Sequence, residues 1–149
     1  MLAIDGSEEA TLATEAATEL SKNTASDVHL AYVLSTPERL AYPHHYSREV
    51  REDVFQQAKK DAGEWLGKQA EQIRSGGGSV AEEHVRTGRP DHEIVSLGDD
   101  LGVGLIVIGS RGLTGLRRAL MGSVSDSVVR HAHCPVMVMR KERQQVEST

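Results

Sequence analysis

Leu105-Ile106-Val107-Ile108 is a short, wholly apolar run rich in β-branched residues, and a glycine follows it at once. Such a run reads as a central strand covered on both faces, which places it in a parallel sheet with helices packed against it. The next residues complete the unit. Gly109-Ser110-Arg111-Gly112 leads through nine residues to Gly122-Ser123, and Val124 to His131 repeats apolar residues at Val124, Val128 and Val129, as a helix does. A strand, a glycine-bearing loop and a helix together make an arrangement that holds phosphate. Glycines let backbone N–H groups approach an anion, and the helix N-terminus adds unpaired donors and the positive end of a dipole. Ser123 and Ser125 offer hydroxyl donors in the same place. The bland reading of Gly109 and Gly112 is a tight turn with close helix–sheet packing, and two glycines alone do not decide between the readings.

The two commonest phosphate loops are excluded. A Walker A loop requires Gly-Lys-Ser or Gly-Lys-Thr, and the only Gly-Lys pair, Gly67-Lys68, precedes Gln69. A Gly-x-Gly-x-x-Gly fingerprint would stand after the first strand, where the chain has Asp5-Gly6-Ser7.

The rest of the chain alternates in the same manner. Ser7 with Glu8 and Glu9 reads as a helix start, followed by an apolar face at Leu12, Ala13, Ala16, Ala17 and Leu20. A second strand precedes a polar stretch, Ser35 to Tyr46, which contains His44-His45. Val50, Val54, Ala58, Ala62, Trp65, Leu66 and Ile73 mark a long helix ended by Ser75-Gly76-Gly77-Gly78. A third strand, a helix from about Asp91 to Leu101, the fourth strand, the last helix and a fifth strand follow. Strands alternating with helices predict a parallel sheet with right-handed crossovers, as one α/β domain. At 149 residues the chain suits one well-buried core.

Composition narrows the function classes. A formal charge of −5 argues against a general nucleic-acid binder. No apolar run approaches the roughly 20 residues that cross a bilayer, and no charged-then-apolar leader precedes the first strand. The single cysteine, Cys134, excludes an internal disulfide and suits a reducing compartment, so a cytoplasmic location is expected.

The spacing Gly-x2-Gly-x9-Gly-Ser resembles that of the universal stress proteins, in their nucleotide-binding branch. The likeness runs through almost the whole chain. Ala3-Ile4-Asp5-Gly6-Ser7 is similar to the family's first strand and turn, Val28 to Val33 to its second strand, and Val85 to Pro90 to its third. Leu105 to Gly109 and Cys134 to Met139 match its fourth and fifth. Two departures stand out: the first strand begins abruptly at Met1, and Gly104 stands where an aspartate is common. The second is expected to affect the turn and not the nucleotide.

The resemblance implies an open five-stranded parallel sheet of strand order 3-2-1-4-5 with helices on both faces, a Rossmann-like arrangement. Its domain would span residues 1–143, with a polar tail at 144–149. In such a sheet ligands lie beyond the carboxyl ends of the strands, where the order reverses, and Asp5 and Gly109 fall at those ends. By the same resemblance Gly109, Gly112, Gly122, Ser123 and Val124 hold the phosphates of ATP or another adenine nucleotide, and Ser125 is kept beside them as a candidate hydroxyl donor. Ala3, Ile4 and Asp5 lie along ribose and adenine, and the Val33 backbone meets the base. For Asp5 a turn-capping role is the plain alternative, and both roles can hold together. Arg111, Arg117 and Arg118 are tempting phosphate clamps, although loop arginines more often form a solvated face; only Arg111 is kept among the candidates. Mg²⁺ or Mn²⁺ is the expected bridge between phosphates.

Three other constellations carry less. His44-His45 with Tyr42 and Tyr46 lacks metal-site spacing. His131 and His133 are placed to cap the last helix. Ser110 is no nucleophile elbow. With no nucleophile–base pair and no cluster of metal ligands in the spacing, the chain reads as an ATP-binding regulator with slow or absent turnover. The alternatives are a slow or self-phosphorylating ATPase and a nucleotide-free dimeric scaffold. Val136-Met137-Val138-Met139, apolar on both faces at a sheet edge, is expected to join two copies, as the family's arrangement implies.

Overall fold

The computed structural model describes residues 1–35, 47–111 and 121–141. Through them alternate β1 (Leu2–Ala3), α1 (Glu8–Thr24), β2 (Asp27–Leu34), α2 (Arg48–Ser75), β3 (Ser79–Thr87), α3 (Pro90–Leu101), β4 (Ile106–Gly109), α4 (Ser123–His131) and β5 (Val136–Met139). The sheet has the order β3-β2-β1-β4-β5 with every pair parallel. The parallel pairing is what the alternation predicts, and the order is the one the resemblance implies.

Period-two alternation divides the core into two layers. Leu2, Ile4, Val28, Leu30 and Val107 face α1 and α2, where they meet Ala13, Ala17, Leu66 and Ile73. Ala3, Ile106 and Ile108 face the other way, onto Ile94 of α3 and Val128 of α4. Cys134 packs at the rim of this second layer, as a small side chain should.

The helix ends follow local chemistry. Ser7 caps α1 by accepting the Ala10 N–H at 3.2 Å, and Glu8 and Glu9 occupy the first turn. Pro90 begins α3, where its missing N–H costs nothing. His131 Nδ1 bonds the Ser127 carbonyl in the last turn of α4 at 2.8 Å, the expected capping role. His133 turns away from that helix and meets the Asp99 carboxylate at 3.0 Å.

One expectation about burial fails. Val50 and Val54 belong to the helical stripe that marks α2 in sequence, yet they are 43% and 44% exposed. The reason is length. The 28 residues of α2 span about 42 Å, whereas the 9-residue β3 it packs against spans about 30 Å. The buried residues Ala62, Leu66, Ala70 and Ile73 lie in its second half, and the first half overhangs the carboxyl end of the sheet. No helix among the described residues is long and apolar enough to cross a membrane.

Candidate functional site

β1 and β4 are neighbours, and their carboxyl ends open side by side. Asp5 leaves β1 in a tight turn: its Oδ1 accepts the Ser7 N–H at 3.0 Å, and Gly6 takes φ +83°. The turn-capping role is thus real, and Oδ2 has no partner among the described residues. Ser7 then reaches across, donating its hydroxyl to the Arg111 carbonyl at 3.2 Å. The amino end of α1 is therefore tied to the loop that leaves β4.

That loop is closed at its base by a single carbonyl. Ser110 continues the ladder by donating its N–H to Met139 O at 2.7 Å. Its own carbonyl accepts the Gly122 N–H at 2.6 Å and the Ser125 hydroxyl at 2.9 Å. Gly122 adopts φ −63°, ψ 154° and caps α4 with no side-chain hydrogen bond. The helix ladder starts only with Asp126 N–H on Gly122 O, at 3.0 Å. The N–H groups of Ser123, Val124 and Ser125 consequently have no carbonyl partner among the described residues. Three donors at the positive end of a helix dipole form a ready anion seat. The Ser110 hydroxyl, buried beneath, also has no partner among the described residues.

Several candidates take roles other than those expected of them. The Ser125 hydroxyl is spent inside the loop base, so only its backbone N–H faces an anion. A Cβ on Gly122 would stand 3.0 Å from Ser110 O and 3.3 Å from Arg111 Cα, so a side chain there would crowd the closed base of the loop by a few tenths of an ångström. A Cβ on Gly109 would meet the Glu9 and Ala10 backbone at 2.8 and 2.9 Å, which is the close helix–sheet packing of the bland reading. Ala3 and Ile4 are buried core residues on opposite faces of the sheet, with little surface of their own. Arg111 is fixed by its carbonyl. Gly112, Arg117 and Arg118 lie outside the described residues, as do Tyr42, His44, His45 and Tyr46.

Val33 is placed for backbone contacts. Ile4 N–H bonds Ala31 O, and Gly88 N–H bonds Leu34 O, so alternate residues of β2 point to β1 and to β3. Val33 shares the parity of Ala31. Its N–H and C=O face the gap where β1 has ended.

A concavity of about 330 Å³ lies between α1 and α2, with Ser7, Thr11, Thr14, Thr18, Trp65 and Gln69 along it. Of the candidate residues only Ile4 touches it, and the Thr14 and Thr18 hydroxyls are already bonded to carbonyls of their own helix.

Among the described residues the structure also gathers one group of metal-ligating side chains that spacing did not reveal: His29, Glu82 and His84. The two histidines stand 55 positions apart. The one local signal is Glu82-x-His84, since residues two apart on a strand share a face. Burial lowers the His84 pKa below its ordinary value, the Glu82 carboxylate pulling the other way.

The model of the universal stress protein family matches residues 1–140. The universal stress protein YxiE of Bacillus subtilis (strain 168) is 34% identical over 148 residues, covering 94% of this chain and 97% of its own. Among solved structures, hypothetical protein MJ0577 superposes with a TM-score of 0.82 at 26% identity, covering 96% of both chains. A universal stress protein from Archaeoglobus fulgidus in complex with dAMP superposes with a TM-score of 0.61 at 23% identity, over 93% of this chain and 94% of that one. At that identity the last likeness concerns the fold.

Proposed function

The chain belongs to the universal stress protein family, and on that premise we propose that it binds an adenine nucleotide, ATP, at the carboxyl ends of β1 and β4. The observation that carries this reading is the amino end of α4. Its three backbone N–H groups lack a cap and stand on a loop pinned at its base by Ser110 O. A phosphate there would complete donors that are otherwise left to water. Asp5 Oδ2 would accept a ribose hydroxyl, and the Val33 backbone would meet the adenine edge. The dAMP complex of a family member supports the ligand class. Among the described residues no three carboxylates or imidazoles gather at this end of the sheet. A bridging Mg²⁺ or Mn²⁺ would take most of its oxygens from the phosphates and water, with at most one or two carboxylates of the chain.

The protein acts, in this reading, as a cytoplasmic nucleotide-dependent regulator in the stress response and not as a fast enzyme. Two copies join through β5, whose outer edge has no strand beside it among the described residues.

Titration of labelled ATP, with unlabelled ADP, AMP and cAMP as competitors, tests the ligand. The variant that tests the site is Ser123→Pro. Proline is tolerated at the first helical position, and the extended Gly122 suits a residue before proline. The change removes one N–H and one hydroxyl while α4 persists. Affinity should fall roughly tenfold or more, the worth of a charge-assisted hydrogen bond. Equal affinity in a folded Ser123→Pro protein would place the nucleotide elsewhere. Phosphate release should stay far below the ~1–1000 per second of typical enzymes.

A further inference from the structure

His29, Glu82 and His84 share the α3/α4 side of the sheet because β3 carries a bulge. Val28 pairs with Val80, but the register slips there, so that Glu82 lies opposite His29 and His84 opposite Ala31. Without the extra residue, Ala81, the alternation would turn Glu82 and His84 toward α1 and α2, the side on which Leu30 is buried. Re-aiming side chains is what bulges do. The slip thus gathers three ligating groups on one open face.

Their spacing fits a metal ion. His29 Nδ1 and His84 Nε2 are 3.1 Å apart, His84 Nε2 and Glu82 Oε2 are 3.7 Å apart, and all three ligand atoms lie within 4.8 Å of one another. Two ligands bonded at ~2.0–2.1 Å to a tetrahedral Zn²⁺ stand about 3.3 Å apart. The observed separations fall on either side of that value. The nearest fixed cation on this face is already matched, since Arg86 Nε bonds Glu93 Oε2 at 2.9 Å. Asp27, two positions before His29 on the same face of β2, adds negative charge. His84 is largely buried while Glu82 is exposed, which leaves a fourth position open to water.

We propose that His29 Nδ1, His84 Nε2 and the Glu82 carboxylate form a site for a borderline divalent transition-metal ion such as Zn²⁺, completed by one water. Two imidazoles select such an ion over Mg²⁺ or Ca²⁺, which prefer all-oxygen shells. The ion clamps the edge strand β3 to β2. This site is separate from the nucleotide crevice, since His29 lies in the amino-terminal half of β2 and the crevice at the carboxyl ends.

Calorimetric titration of Zn²⁺ into chelator-treated protein free of any histidine tag tests the proposal, with Mg²⁺ as control and with His84→Gln and Glu82→Gln as variants. One Zn²⁺ per chain is expected, with affinity weakened roughly tenfold or more in each variant and a Zn²⁺-dependent rise in the wild-type melting temperature. Circular dichroism checks the fold; if His84→Gln does not fold, the exposed Glu82→Gln decides. No saturable Zn²⁺ binding by the wild type, or undiminished affinity in either folded variant, overturns the site and leaves a plain histidine–histidine hydrogen bond.

Discussion

Gly109 has no room for a side chain. The atoms a Cβ would strike, at 2.8 and 2.9 Å, belong to the backbone of the first turn of α1, which cannot yield without moving the helix. Gly109→Ala is therefore expected to cost roughly 1–3 kcal/mol through overpacking. Gly104→Ala, with nothing within 4 Å, should stay within about 0.5 kcal/mol. Urea unfolding of the two variants side by side checks this, and equal midpoints would contradict it. The contrast shows where single residues are legible. A strand followed by glycine points to a loop, but which glycine serves the ligand and which the packing depends on α1, more than eighty positions earlier. The Ser125 hydroxyl is a similar case: its spacing suits a phosphate donor, and only the folded loop reveals that Ser110 O claims its proton.

At the scale of elements, α1, α2, α4 and β4 could be read from their apolar pattern, whereas the two-residue β1 and the strands β3 and β5, which bury no residue fully, rested on the family pattern. The exceptions have physical causes. The exposed valines of α2 keep helical spacing where the sheet beneath has ended, and periodicity carries no information about where a neighbour stops. The bulge in β3 left no mark in composition, so the His29–Glu82–His84 group was invisible until the strands were paired. Ala25 ends α1 in the left-handed region at φ 52° without being glycine. Ala25→Gly should stabilise the protein by about 0.5–1 kcal/mol, and an unchanged or lowered urea midpoint would contradict that.

Asp91 joins α3 to α4 by accepting the Ser127 hydroxyl at 2.8 Å. Burial alone would raise its pKa, but hydrogen bonds from Ser127, Arg89 and the His92 backbone outweigh it and hold the carboxyl below its ordinary 3.8. A depressed carboxyl contributes stability that is complete above the unfolded value and is lost as pH falls through the folded one. Asp91→Asn should therefore lower stability at neutral pH and flatten its decline below about pH 4. An acid limb as steep as the wild type's in urea melts would show that Asp91 contributes nothing there.

At the scale of the whole molecule, the strand order followed from the family pattern, and the position of the crevice followed from the order. The partner surface is less accessible to sequence, because an apolar edge strand reads the same whether a second copy or another element covers it. Backbone parity supplies a clean test. Ile106 N–H bonds Pro135 O and Ser110 N–H bonds Met139 O, so Val138 turns its own N–H to the outer edge. Val138→Pro removes that outward donor and spares the ladder to β4, as proline on an edge strand can. The variant should be a folded monomer by light scattering where the wild type is a dimer. A wild-type monomer at micromolar concentration would contradict the proposed pairing.

Amide chemical shifts of ¹⁵N-labelled protein during an ATP titration locate the nucleotide residue by residue. The amides of Ser123, Val124, Ser125 and Val33 should shift together and saturate, while Thr11, Thr14 and Thr18 in the α1–α2 groove stay in place. Shifts confined to that groove, or none at saturating ATP, would contradict the account.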